Sequence, residues 1–479
     1  MIFWVVALAI VVAFLAVVLV RASAFKAPDE PEIQPDGLTV DSEHAVDSLA
    51  AMIRCRTISS RDRTMRDERE FEKFRNLLKE RYPAIHKTCS LERIDETGLL
   101  YKWQGKSSQA PVVLMAHYDV VPVQEESWEK PPFEGVIEDG VLWGRGTLDT
   151  KGTLCGVVEA AESLINEGFT PENDIYFAFG GDEEIAGPAA PAIVAELEKR
   201  GIVPALVVDE GGAVVEGIFP GVSDKCALIG TGEKGMLDVK LVVNASGGHA
   251  SAPPPHGPLG KLSQAVINIE NHPFPAKLTR PVAEMFDTLG RRSSFLYRMI
   301  FANLWCFMPL LNAMCKKAGG ELNAMMRTTF AATMASGSAA SNVLPNTASI
   351  GGNMRLIGGD TIESVVSHLK ELIKDEDIVI ETNPSGMNPS ISSDSSCEGY
   401  AKVAKAIRAT WPGAVVSPYL MVACSDSRHY CRITDKVMRF SAMELTKEER
   451  SYIHANNERI PLEKIATTVA FYVRLIKQC

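Results

Sequence analysis

The sequence has no dense block of lysine and arginine. Over 479 residues, 60 acidic side chains outnumber 49 basic ones, giving a formal net charge of −11. A surface of that sign cannot neutralise a run of phosphates, so nucleic acid is excluded as a partner. No unit of roughly 20–50 residues repeats, which excludes solenoids and propellers. No CxxC pair occurs among the ten cysteines, which are scattered from Cys55 to Cys479. They read as mostly buried thiols and lean towards a reducing compartment, without excluding disulfides. Neither a GxSxG elbow nor any other Ser-His-Asp or Cys-His nucleophile motif is present. Gly180-Gly181 is not followed by a Walker A sequence, so phosphate chemistry is not indicated. What is present is ample core material, 46% hydrophobic against 23% charged. That balance excludes wholesale disorder, collagen and a small disulfide scaffold.

The first twenty residues lack any charged side chain. At 1.5 Å per residue such a helix reaches about 30 Å, the thickness of a hydrocarbon core. A buried soluble helix would show a polar stripe, and a cleavable leader would have a basic start and a shorter apolar run. Ala22-Ser23-Ala24 resembles a cleavage site, but an uncleaved single-pass anchor over residues 1–21 is the better reading. Arg21 and Lys26 weakly favour a cytosolic body, and the membrane face stays open.

Residues 22–41, rich in proline and acids, read as a linker. Beyond Ser42, which can cap, helical patterns cover residues 42–53 and 67–82. Short apolar strands at 112–116, 175–179 and 205–208 then alternate with helices at 152–164 and 189–200. That alternation predicts an α/β sheet covered on both faces. Near Gly235 the pattern changes to strand 236–243, helix 258–270, strands 328–333 and 348–356, helix 361–373 and strand 378–381. The β-α-β-β-α-β order predicts a ferredoxin-like module inserted into the main domain. Within it lies an apolar helical insert at about 274–326. Arg298, Asn303 and Pro309 argue against a second span there. It reads as a helical hairpin on its own domain, or as an apolar wall or membrane-facing patch. Helices around 400–410 and 462–476 complete the main domain.

The informative feature is a series of acids and histidines at strand ends, where ligands gather in open α/β sheets. His117-Tyr118-Asp119 follows the first apolar run. An Asp two residues on faces the same side of a strand and can fix a metal-bound imidazole. Gly144–Gly152 (GRGTLDTKG) places Asp149 in a glycine-rich turn before a helix, where the ordinary role is an N-cap. Asp182-Glu183-Glu184, Asp209-Glu210 and His454 complete the series. Each is ambiguous alone. Together they supply imidazole and carboxylate without thiolate, a donor set for Zn²⁺ that Co²⁺ or Mn²⁺ also accept.

The ordered set HYD, GRGTLDTKG, GDEEIAG, VVDEGG, SGGHAS and HANNE resembles the zinc metallopeptidase family of aminoacylase, carboxypeptidase S, acetylornithine deacetylase and succinyl-diaminopimelate desuccinylase. The apolar N-terminus, the length and SDSRHY look most like carboxypeptidase S and the N-fatty-acyl-amino-acid synthase/hydrolase subgroup. The resemblance implies two zinc ions per chain. Asp149 would bridge them, His117 and Asp209 would complete one site, and Glu184 and His454 the other. Asp119 would hold the His117 ring, and Glu183 would be the general base. The Asp149–Thr150 peptide would be cis. From the inserted lid, His249 and Asn342 would reach the substrate carbonyl. Arg428 is the first candidate for a substrate carboxylate, with a structural pair to Asp426 as its plain alternative, and Arg355 is the second. One departure is the run of three prolines at 253–255, where the family usually has one or two, a difference that bears on the shape of the lid loop and not on His249.

The resulting expectation is an α/β, mixed-sheet catalytic domain in two parts, 42–233 and 384–479, with a lid and dimerisation domain at 234–383. The function implied is amide hydrolysis of N-acyl amino acids or small peptides with a free carboxylate, in a membrane-anchored protein that is a homodimer through the lid. One alternative is a dipeptidase or aminopeptidase of the same fold. The other is an inactive membrane-tethered amino-acid-binding module, whose mark would be a lost ligand; none is lost.

Overall fold

The computed structural model describes residues 2–28 and 36–479. The central part of the 22–41 segment lies outside the described residues. The apolar N-terminus is one helix, Ile2–Ala24, that runs beyond the expected end at residue 21. Its last turns are held by tertiary contacts, with Val18 and Ala22 buried and Arg21 Nε donating to Ala302 O at 3.1 Å. The next helix, Ser42–Ile53, is capped by Asp41 rather than Ser42. The Asp41 carboxylate accepts from His44 N at 3.0 Å.

An eight-stranded mixed sheet forms the body. Its strands lie in the order Ser90–Ile94, Gly98–Trp103, Asn173–Gly180, Ser107–His117, Leu206–Val215, Val437–Leu445, Cys226–Glu233 and Val415–Met421. Four neighbours, Asn173–Gly180, Ser107–His117, Leu206–Val215 and Val437–Leu445, run parallel, so their carboxyl ends share one edge. Helices cover both faces, which is why these strands are buried on both sides and read as continuous apolar runs. The helix Lys151–Asn166 is buried along most of its length. It packs closely because of its glycines: a Cβ at Gly152 would lie 2.3 Å from Thr147 O, and one at Gly156 would lie 2.5 Å from Thr468 Cγ2.

A second, four-stranded antiparallel sheet has the order Thr329–Ser336, Thr347–Leu356, Gly235–Asn244, Ile378–Thr382. Leu237, Val239, Leu241 and Val243 point to one face. There they form a separate core with Leu262 and Ile269 of helix Pro258–Asn271 and with Val365 and Leu369 of helix Ile362–Ile373. The period-2 alternation read from the sequence is this one-sided burial. The insert is four helices: Arg280–Arg292, Phe295–Phe301, Leu304–Ala318 and Gly320–Met326. The second and third meet at 111°, with Asn303 at the bend.

Candidate metal centre

The parallel edge of the main sheet collects the acids and histidines. His117 ends its strand 2% exposed, and its peptide is fixed by Thr150, whose Oγ1 accepts from His117 N at 3.0 Å and donates back to His117 O at 3.1 Å. Its ring Nδ1 lies 3.0 Å from Asp119 O and 3.3 Å from Asp119 Oδ1, both acceptors. A proton on Nδ1 satisfies them and leaves the Nε2 lone pair facing Asp149 Oδ1, 2.9 Å away. The other Asp149 oxygen faces His454 Nε2 at 3.0 Å, and that nitrogen is also 3.0 Å from Glu184 Oε2. The Asp149–Thr150 peptide is cis. Glu183 Oε2 stands 4.0 Å from His117 Nε2. The backbone N–H groups of Glu183 and Glu184 both donate to Asp119, each at 3.2 Å, so one buried carboxylate orients the imidazole and the acidic turn together.

Asp209 is not in this group; Glu210 is. Glu210 Oε1 lies 3.7 Å from His117 Nε2. The Asp209 carboxylate instead accepts from Ser427 N at 2.9 Å. The cause is a bulge. Arg439 pairs with Asp209, and the next residue, Phe440, pairs with Gly212, so Glu210 and Gly211 are extra on their strand. Gly211 takes φ 139°, and a Cβ there would meet Met421 Sδ at 2.7 Å. Bulges re-aim side chains beside active sites. The resemblance points to Asp209, whereas in this structure the neighbouring Glu210 stands among the close donor atoms, and the glycine pair Gly211-Gly212 marks the irregularity in the sequence.

The electrostatics are those of an excess of carboxylate. Burial opposes protonation of His117, but Glu210, Asp119 and Asp149 raise its proton affinity well above the usual histidine range. Hydrogen bonds to Asp149 and Glu184 raise His454 to about 10. Burial pushes Glu183 and Glu210 well above the ordinary carboxylate range. Burial also penalises the Asp149 charge, yet the two imidazoles hold its pKa down. Glu184 Oε1 is buried without a hydrogen-bond partner. His117, Asp149 and Glu184 form one group of close donor atoms, and His117, Glu183 and Glu210 form another. An unpaired buried oxygen among imidazoles and surplus carboxylates is what a divalent cation would satisfy, and the donor set fits zinc, cobalt or manganese.

Residues 113–478 match the peptidase family M20/M25/M40. The chain belongs to that family. A carboxypeptidase S-like protein of Dictyostelium discoideum is 35% identical over 463 residues, 94% of this chain and 89% of that one. An N-fatty-acyl-amino acid synthase/hydrolase of Xenopus tropicalis is 35% identical over 442 residues, 91% of this chain and 86% of its own. Among solved structures, an M20 family metallo-carboxypeptidase of Sulfolobus solfataricus shares the fold, with a TM-score of 0.65 at 16% identity. The match covers 91% of this chain and 98% of that one. The chain is thus an M20 hydrolase with the family's mixed-sheet α/β fold.

In this M20 chain the remaining predicted residues lie apart from the cluster. His249 and Asn342 are exposed neighbours on a small ladder that pairs Gly248–His249 with Val343–Leu344. Ala250 N donates to Asn342 O at 3.0 Å, and the His249 ring accepts from Ser251 N at 3.1 Å. Arg428 does not pair with Asp426. Its Nη2 donates to Asn388 O at 2.6 Å, and its Nη1 lies 3.3 Å from Glu233 Oε1. Glu233 also accepts from Arg439 Nε at 2.8 Å. Two guanidiniums thus share one buried carboxylate, which leaves a net positive charge. Arg355 extends it, donating from Nη1 to Cys424 Sγ at 3.3 Å and from Nε to Asn353 Oδ1 at 3.1 Å.

One residue of the HANNE segment has a role that the sequence did not reveal. Glu458 is fully buried and accepts from Arg145 Nη1 at 2.7 Å, Leu148 N at 2.8 Å, Gly146 N at 3.1 Å and Asp149 N at 3.3 Å. Arg145 Nη2 donates in turn to His454 O at 3.3 Å. Glu458 therefore holds the Asp149 turn against the His454 loop. Nothing in the spacing alone distinguishes it from a surface acid.

Proposed function

We propose that the protein is a membrane-anchored, dinuclear zinc hydrolase of N-acyl amino acids or small peptides with a free carboxylate. The observation that carries this reading is Asp149, whose two oxygens each face a different histidine. That is the arrangement of a bridging carboxylate. His117 and Glu210 would complete one side, and His454 and Glu184 the other. Glu210 replaces Asp209 in the expected ligand set. Two cations so held would supply charge stabilisation and an acidified water.

The chain's own residues do the rest. Glu183, unbound and facing the cluster, takes the proton from the attacking water and delivers it to the leaving amine; its burial suits a base that must release the proton again. His249 and Asn342, carried by the module at 234–383, donate to the oxyanion after that lid moves over the site. Arg428, with Arg355, binds the substrate carboxylate through the surplus charge around Glu233. Water is the nucleophile, so condensation of amino acid and acyl acid is the same path reversed. The N-terminal helix is an uncleaved anchor: it carries no charge before Arg21, and its apolar stretch is almost wholly exposed. A homodimer through the lid completes the reading.

The test is a panel of N-acyl amino acids, matched N-acyl amino acid amides and dipeptides, assayed with full-length protein before chelation, after it, and after zinc is restored. Zinc-restored cleavage of the free acids in preference to the amides is expected. Preference for substrates with a free amine would replace this reading with an aminopeptidase or dipeptidase.

A further inference from the structure

The N-terminal helix does not stand clear of the body. Asn303 Nδ2, fully buried, donates to Val18 O at 3.1 Å, and Arg21 Nε donates to Ala302 O at 3.1 Å. Higher on the helix, Phe14 meets Trp305 edge to face with centroids 5.8 Å apart. Just beyond the helix, the Arg291 guanidinium lies 4.4 Å from the Phe25 ring centre. The insert therefore grips the helix from its charged end upward into its apolar stretch.

This contact fixes a depth. Arg21 is the first charged residue of the helix and marks the headgroup level. Phe14 lies seven residues earlier, about 10 Å further along the axis. A side chain that packs on Phe14 stands at that depth whenever the helix lies in a bilayer. Trp305 is 61% exposed there; Leu310 and Met314 further along the same helix, and Phe295 and Leu296 at the start of the preceding one, are exposed as well. At the bend, Trp305 Nε1 donates to Asn303 Oδ1 at 3.3 Å and Asn303 also donates to Met299 O at 2.9 Å, while the Arg298 guanidinium of the first helix lies 5.6 Å from the Phe295 ring centre. Lys316 and Lys317 end the helix Leu304–Ala318, exposed and able to reach anionic headgroups. That helix has 15 residues, about 22 Å, too short to span, and it meets its predecessor at 111°.

We propose that the elbow of helices Phe295–Phe301 and Leu304–Ala318 is embedded in the same membrane leaflet as the base of the N-terminal helix, a second and non-spanning membrane element. Its occupant is the bilayer itself: acyl chains over the exposed apolar face and headgroups at the lysines. The elbow thereby holds the catalytic body close to the lipid surface in one orientation, where a tether alone would let it swing. The inference rests on the reading of the N-terminal helix as an anchor.

The test uses full-length protein in phosphatidylcholine vesicles whose acyl chains are brominated at mid-depth, with tryptophan quenching read for the wild type, Trp4→Phe and Trp305→Phe. Cleavage of a soluble N-acyl amino acid serves as the check on folding. Expected are flotation with the vesicles and a loss of quenchable emission in each variant. Leu310→Trp in the Trp305→Phe background should restore it. If Trp4→Phe lowers the quenchable fraction and Trp305→Phe leaves it unchanged, with Leu310→Trp restoring nothing, the anchor stands and the embedded elbow is overturned. If the protein does not float and neither substitution alters quenching, the anchor itself falls and the elbow with it.

Discussion

The cluster around Asp149 and the ladder carrying His249 belong to one proposed reaction but are built in opposite ways. The cluster is stitched: Asp119 fixes His117 and the 183–184 turn, and Glu458 with Arg145 fixes Asp149 against the His454 loop. Its carboxylates are held close at a cost that their shifted proton affinities express. The ladder is a two-residue pairing on an exposed loop, and among the described residues its imidazole accepts from its own neighbour Ser251 alone. Preorganisation is concentrated where charge must be held before substrate arrives. In the proposed reaction the oxyanion donors sit on an exposed part that would close over the substrate, and closure would expel water from around it.

The largest expected effect tests the stitched half. Glu183→Gln keeps shape and removes the proton acceptor, so kcat should fall about 10²–10⁴-fold with metal content unchanged. Near-normal turnover at full metal content would show that Glu183 is not the base. The mobile half comes next. His249→Ala should lower kcat about 10²–10³-fold, also without metal loss. Loss of metal from that variant would mean that His249 belongs to the cluster after all, and that the contrast between the two regions is false.

A third experiment separates the adjacent acids. Glu210→Gln should lower metal content by elemental analysis, and Asp209→Asn should not, because Glu210 Oε1 stands 3.7 Å from His117 Nε2 whereas the Asp209 carboxylate is held by Ser427 N. The reverse result would reinstate Asp209. The smallest effect concerns Arg428. A charge-assisted pair is worth about 1.5–3 kcal/mol, so Arg428→Met should lower kcat/KM for N-acyl amino acids roughly 10–100-fold and leave the matching amides nearly unchanged. Equal losses on both would confine Arg428 to its contact with Glu233.

Much of this was legible in the sequence because metal-site chemistry needs particular residue types at strand ends. HYD, the glycine-rich turn around Asp149 and the paired Glu183-Glu184 announce themselves, and the one-sided alternation of residues 236–243 declares the second sheet. What stayed hidden has physical causes. The strand Val415–Met421 contains Pro418, tolerated because that strand is at the sheet edge. The strand Val437–Leu445 carries a fully buried Arg439, acceptable only because Glu233, distant in sequence, meets it. Glu210 depends on a bulge, and Glu458 on a loop folding back by more than 300 residues. The insert reads as apolar in either case, but only its contact with the N-terminal helix shows which way it faces.

The central claim is that Asp149 bridges two cations, and metal stoichiometry tests it most directly. Elemental analysis of the purified full-length chain, saturated with zinc and freed of excess, should give two ions per chain, and Asp149→Ala should retain neither firmly. One ion per chain in a fully active wild type, or two retained by Asp149→Ala, would contradict the account.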